Sequence, residues 1–174
     1  MTSRADQHDL DKLARWHRDL TGNPGSAFPV YAIFLVSADD REAHDIFRKF
    51  RASFESHRAG FENLVIFGQH GISTTAQSLL AEFGLAQGAI PTLALLASYD
   101  TTVVYTLPLP SGDKNMPDAD QLGQTWEEAL GRVETAMKER ERNLELASID
   151  GLTRHQLADG PLVTLVSKLL NCLS

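Results

Sequence analysis

The run Ala89-Ile90-Pro91-Thr92-Leu93-Ala94-Leu95-Leu96 constrains this chain more than any other stretch. It carries no charge and is too short for a helix, so it reads as a strand buried on both faces. Yet a proline stands at its entrance. Proline has no N–H to give a sheet ladder, which confines it to edges, bulges and strand starts. Pro91 is therefore read as the opening of a central strand. Upstream, Thr74 to Leu85 has helical spacing, and Gly84 to Gly88 makes the turn between them.

The neighbouring segments fit the same plan. Val30 to Val36 is a second continuous apolar run and a second buried strand. Ser37-Ala38-Asp39-Asp40 follows it, with Asp39 or Asp40 suited to cap the next helix and Glu42 suited to its first turn. Ala43, Ile46, Phe47, Phe50 and Phe54 then repeat at helical spacing as far as about His57. The other face of that helix carries Arg41, His44, Asp45, Arg48, Lys49 and Arg51. Arg58-Ala59-Gly60 ends it, and Asn63 to Gly68 is a further strand. Gln69-His70-Gly71 is a loop, after which Ser73, Thr74 or Thr75 can cap the helix holding Ala76, Leu79, Leu80 and Phe83. Beyond the Pro91 strand, Tyr99-Asp100-Thr101-Thr102 reads as a hairpin turn, and Val103 to Leu109 as the returning strand. Pro108 and Pro110 suit an edge there.

At the amino end, Asp6 to Leu20 is a candidate helix with Leu10, Leu13, His17 and Leu20 on one face and Trp16 beside them, stopped by Thr21-Gly22-Asn23-Pro24-Gly25. At the carboxyl end, Ser111 to Asp120 is a polar linker. Leu122, Trp126, Leu130, Val133 and Met137 mark a long helix extending towards Leu146, and Ile149-Asp150-Gly151 breaks it. Pro161 opens a last helix holding Leu162, Val163, Leu165, Val166, Leu169, Leu170 and Leu173.

Strands alternating with helices imply parallel pairing through right-handed crossovers. Two strands joined by a short turn are antiparallel. Alternation alone also allows a flavodoxin-like sheet, and the hairpin after Pro91 favours a mixed one. The expectation is an α/β fold with a mixed four-stranded sheet flanked by helices, an N-terminal helix and a C-terminal helical extension. The boundaries are 1–25 for the first helix and turn, 26–147 for the domain and 148–174 for the extension.

Phe83-Gly84-Leu85 followed by Ile90-Pro91-Thr92-Leu93 resembles the pattern of the thioredoxin superfamily, and the likeness extends over Val30 to Met137. The resemblance implies a thioredoxin-like fold with a cis proline at Pro91 that faces the redox site. The family's two cysteines would lie in Ser37-Ala38-Asp39-Asp40-Arg41-Glu42, where there is none. The one cysteine of the chain, Cys172, falls far away in the last helix and reads as a small core hydrophobe. Thiol–disulfide exchange needs a thiolate nucleophile and a resolving partner, so the resemblance implies a redox-inactive protein with no catalytic residues expected. What the resemblance still implies is binding of a protein or peptide by strand addition, as in an adaptor, a chaperone-like protein or an assembly factor. The surface would comprise Ser37, Ala38, Asp39 and Asp40 together with Ile90, Pro91 and Thr92.

Charge and composition narrow the remaining classes. A net charge of −7 over 174 residues disfavours nonspecific binding to nucleic acid or anionic membrane. No signal peptide or membrane span is read, so the expectation is a cytoplasmic protein. The six histidines show no paired metal-ligand spacing, and neither a metal nor a cofactor is expected. His70 stands out, because a loop at a strand's C-terminal end is where open α/β sheets place ligands. An α/β enzyme or small-ligand binder using Asp39, Asp40 and His70 is thus the alternative function. Helix capping and a solvent-exposed loop are the plainer roles for these residues. Arg41, Arg48, Lys49, Arg51 and Arg58 form a basic stripe, diluted by Glu42, Asp45 and Glu55 into a solvated helix face. Lys138-Glu139-Arg140-Glu141-Arg142 alternates in sign, as an exposed helix does. The apolar C-terminal helix must be buried, either on its own domain or in a homodimer.

Overall fold

The computed structural model describes residues 4–22, 30–57, 63–86, 89–108, 119–139, 144–149, 151–158 and 160–173. The turn at Asn23-Pro24-Gly25, the helix stop at Arg58-Ala59-Gly60, Gly88, Pro110, most of the polar linker, Arg140 to Arg142 and Asp150 lie outside the described residues.

In chain order the elements are α1 (Arg4–Gly22), β1 (Tyr31–Leu35), α2 (Arg41–Ser56), β2 (Leu64–Phe67), α3 (Thr74–Glu82), β3 (Thr92–Leu96), β4 (Val103–Pro108), α4 (Ala119–Lys138), β5 (Thr153–Gln156) and α5 (Leu162–Leu173). A short 3₁₀ turn, Leu146–Ser148, precedes β5. The sheet runs β2-β1-β3-β4-β5. β1 and β2 are parallel, and every other pairing is antiparallel. The fold is therefore α/β with a mixed sheet, as the element order implied.

The strand count differs from the expectation of four. β5 lies in the segment read as a purely helical extension. Its sequence, Thr-Arg-His-Gln, has no apolar residue to alternate, and its side chains are exposed or half-buried. Periodicity cannot reveal such a strand, which is recruited by backbone pairing with β4. The Leu157 N–H extends that pairing by donating to the Thr102 carbonyl at 2.8 Å. β4 is consequently interior to the sheet rather than an edge. Pro108 is tolerated because β5 pairs only with Val103 to Thr106, and Pro108 lies beyond that register. The long helix also ends earlier than expected, at Lys138.

The centre of the sheet is buried on both faces because β1, β2 and all of β3 but Thr92 are apolar. Ala32, Phe34, Ile66, Leu93 and Leu95 point to one face, where α2 contributes Ile46, Phe47, Phe50 and Phe54, and α4 contributes Trp126, Leu130 and Val133. Ile33, Leu35, Val65, Phe67, Ala94 and Leu96 point to the other, beneath α1, α3 and α5. α5 packs on α1 and α3 through Leu162, Leu165, Val166 and Leu169. Cys172 is exposed, contrary to its reading as a core residue, and lies in the last turn of α5, beyond the buried residues of that helix.

Candidate functional site

β1 and β2 run in parallel, so their C-terminal ends lie side by side. In open α/β sheets the crevice beyond such ends is the usual ligand site. β3 runs the other way, with Thr92 opposite Leu35, so its entrance reaches the same end of the sheet. The Ile90–Pro91 peptide bond at that entrance is cis.

The turn after β1 is held by its own polar groups. The Ser37 N–H donates to Asp40 Oδ2 at 2.6 Å, and the Arg41 N–H donates to the Asp39 carbonyl at 2.9 Å. Asp40 occupies the N-cap position of α2, yet its carboxylate turns back to Ser37 and makes no cap bond to the helix. His44, one turn into α2, donates from Nε2 to the Ser37 carbonyl at 2.9 Å. A carbonyl can only accept, so this bond fixes the tautomer of the neutral ring.

The loop after β2 is positioned by a glycine. Gly68 has φ +87, and a Cβ placed there would lie 1.8 Å from the Val36 carbonyl oxygen. No other residue fits that approach. Its N–H donates to Asp9 Oδ2 at 2.6 Å. Asp9, on α1, is fully enclosed and also accepts from the Ser73 hydroxyl, while Ser73 Oγ caps α3 by accepting from the Ala76 N–H. Lys12 completes the cluster. Its Nζ stands 3.5 Å from Asp9 Oδ1 and donates to the Ile66 carbonyl at 2.5 Å. Burial holds the Lys12 pKa below its ordinary value, opposed by the Asp9 carboxylate.

Sequence reading missed Asp9 and Lys12. It took the inner face of α1 as Leu10, Leu13, His17 and Leu20 with Trp16 beside them; Leu13, Trp16 and Leu20 are buried, but so are Asp9 and Lys12, while Leu10 and His17 are only half-buried. The available signal was spacing. Both charged residues share the three-and-four register of Leu13, Trp16 and Leu20.

These two loops enclose an open groove of about 450 Å³. One wall is α2, with Arg41, His44, Asp45 and Arg48, led by Ala38 of the preceding turn. Gln69 and His70 form the other side. Behind His70 stands His8 of α1, its ring perpendicular and 4.4 Å away between centroids. Burial, Lys12 and His70 together lower the His8 pKa from its ordinary value.

Of the expected binding residues, Ala38 lines this groove. Ser37 and Asp40 brace the turn that carries it, and Asp39 is exposed beside it. Ile90, Pro91 and Thr92 are buried, and Thr92 Oγ1 donates to the Ala89 carbonyl. From Thr92 onwards β3 is paired on both sides, with β1 and with β4, so a partner strand has only Ile90 and Pro91 to address. Of the alternative set, His70 lines the groove. Among the described residues, no three His, Cys, Asp or Glu side chains converge to hold a metal ion, and no helix is long and apolar enough to cross a membrane. No protein-family model, no curated protein and no solved structure matches the chain.

Proposed function

We propose that this chain is a redox-inactive, thioredoxin-like protein that works by binding a protein or peptide partner, as an adaptor, chaperone-like protein or assembly factor. The observation that carries the reading is the groove beyond β1 and β2. The turn Ser37 to Asp40, where the resembled family keeps its cysteine pair, forms one end of that groove and contains no thiol. The cis Ile90–Pro91 bond at the entrance of β3 supports the same reading, as does the β2-β1-β3-β4 portion of the sheet. In this reading Ala38, the flanking Ser37 and Asp39, and the mouth of the groove contact the partner, while Pro91 and Thr92 are buried at the same end of the sheet.

A small-ligand role for Asp39, Asp40 and His70 has less support, because the Asp40 carboxylate is engaged by the Ser37 N–H. A homodimer through α5 has less to work with than the sequence suggested, since Leu162, Leu165, Val166 and Leu169 already face this chain's own core. The test is a photo-crosslinking residue placed at Ala38, compared with one at Thr164, which is exposed on α5. In extract of the source cells, the expected result is a discrete adduct from Ala38 alone. No adduct, or the same adducts from both positions, overturns the assignment.

A further inference from the structure

The whole chain is acidic, at −7, yet the groove wall is basic. Arg41, His44 and Arg48 follow one another at spacings of three and four along α2, so they form a row on one side of the helix. At a rise of about 1.5 Å per residue, the row is about 10 Å long. His70 faces it from the loop after β2. Asp45 is the one acid in the wall among the described residues. It engages Arg48 at 3.1 Å, with both side chains largely in solvent, at 72% and 74% exposure. An ion pair that exposed is worth little and exchanges readily for an incoming carboxylate. Arg41 is exposed as well.

We infer that the groove takes an acidic, carboxylate-rich segment of a protein partner, laid along the Arg41-His44-Arg48 row. The inference rests on the binding role proposed above and adds the chemistry of the partner. The length of the row favours a chain segment over an isolated anion, because about three residues of extended chain span the same distance. A phosphate ion reaches one end only. A second copy of this chain is disfavoured by its own net charge, which repels the encounter. Guanidinium groups suit the task, since each offers a planar fork of donors matched to a carboxylate.

The probe is a fluorescein-labelled octaglutamate peptide, titrated with the full chain at low ionic strength and followed by anisotropy. An octaglutamine peptide and inorganic phosphate are the comparisons. The expected result is saturable binding of octaglutamate, none of octaglutamine, and weakening as salt is added. Arg41→Glu with Arg48→Glu weakens binding about tenfold or more, and Asp45→Asn strengthens it about two- to threefold. Arg154→Glu, on exposed β5 and remote from the groove, leaves it unchanged. The double reversal touches exposed side chains, and an unchanged circular dichroism melt confirms that it folds. No binding, equal loss from Arg154→Glu, or competition by inorganic phosphate at equimolar concentration overturns the inference. The underlying reading fails separately. If the Ala38 crosslink persists in the Arg41→Glu, Arg48→Glu protein, the groove binds a partner by other chemistry and only the acidic assignment falls. If octaglutamate binds but Ala38 captures nothing, the partner-binding role falls instead.

Discussion

The two faces of the sheet are sealed in different ways. Under α2 and α4 the seal is aromatic. Phe34 sits edge-on to Phe47 at 5.3 Å and to Trp126 at 5.6 Å, with Phe50 and Phe54 beside them. Under α1, α3 and α5 the seal includes a buried ion pair, Asp9 with Lys12, wired to backbone groups of Ile66 and Gly68 and to Ser73. Apolar packing is non-directional and accepts small slides of a helix. A buried carboxylate accepts only a position in which all its donors are met. The polar face therefore fixes where α1 lies against the β2–α3 loop, and that loop forms one side of the groove. The aromatic face supplies bulk stability to α2, which forms the other side.

The largest expected effect breaks the aromatic face. Phe34→Ala removes the ring that touches both α2 and α4 and leaves a cavity, at a cost of about 3–5 kcal/mol. Chemical denaturation measures it, and a cost below about 1 kcal/mol would mean that the two helices close over the gap. Next comes the polar face. Asp9→Leu strands Lys12, the Gly68 N–H and the Ser73 hydroxyl, at a cost of about 3 kcal/mol. Pairing it with Lys12→Met removes the uncompensated cation, so the double variant is more stable than Asp9→Leu alone. Additive losses in this cycle would show that Asp9 serves the backbone groups only and that its pairing with Lys12 contributes nothing.

The same contrast explains what the sequence made legible. Apolar runs at Val30 to Val36, Asn63 to Gly68 and Leu93 to Leu96, and the phenylalanine stripe of α2, each announce burial by composition alone. They locate β1, β2 and β3 and the α2 helix, while β4 follows from the hairpin turn after β3. β5 has no such signal, because its place depends on a backbone ladder with β4 that any side chains could accompany. The candidate site was legible in part. Ala38, named through the resemblance, and His70, named from its place at a strand end, both line the groove, whereas Ile90 to Thr92 are buried because β3 is central. Asp9 and Lys12 escaped notice because a charged pair on a helix normally marks its solvent side.

Smaller effects sharpen the comparison by showing what the two faces share. Each has an ion pair bridging its helices at the surface, Lys49 to Glu127 at 3.4 Å between α2 and α4, and Lys168 to the half-buried Glu82 at 2.8 Å between α5 and α3. Lys49→Ala and Lys168→Ala should each cost between 0 and about 1 kcal/mol, with the value falling in high salt. Similar small values would leave the difference between the faces to their buried groups. A loss above about 2 kcal/mol at Lys168 would mean that α5 is held by charge more than by its leucines.

The smallest effect concerns pH and is confined to the polar face. His8 has its pKa lowered from 6.5, by burial first and then by Lys12 and His70. The unfolded chain therefore takes up this proton at a higher pH than the folded one. From pH 6.5 down to the lowered folded value the unfolded state binds more protons, so stability falls as the solution is acidified through that window. Above pH 6.5 both states are neutral at His8 and its contribution is flat. His8→Gln removes the titration, so the variant should lose stability less steeply between pH 6.5 and 5 than the parent does, and match its slope above pH 7. Denaturation at a series of pH values reads the two slopes directly. An unchanged acid slope would assign the acid sensitivity to other groups and leave the His8–His70 contact without a role in how α1 meets the groove loop.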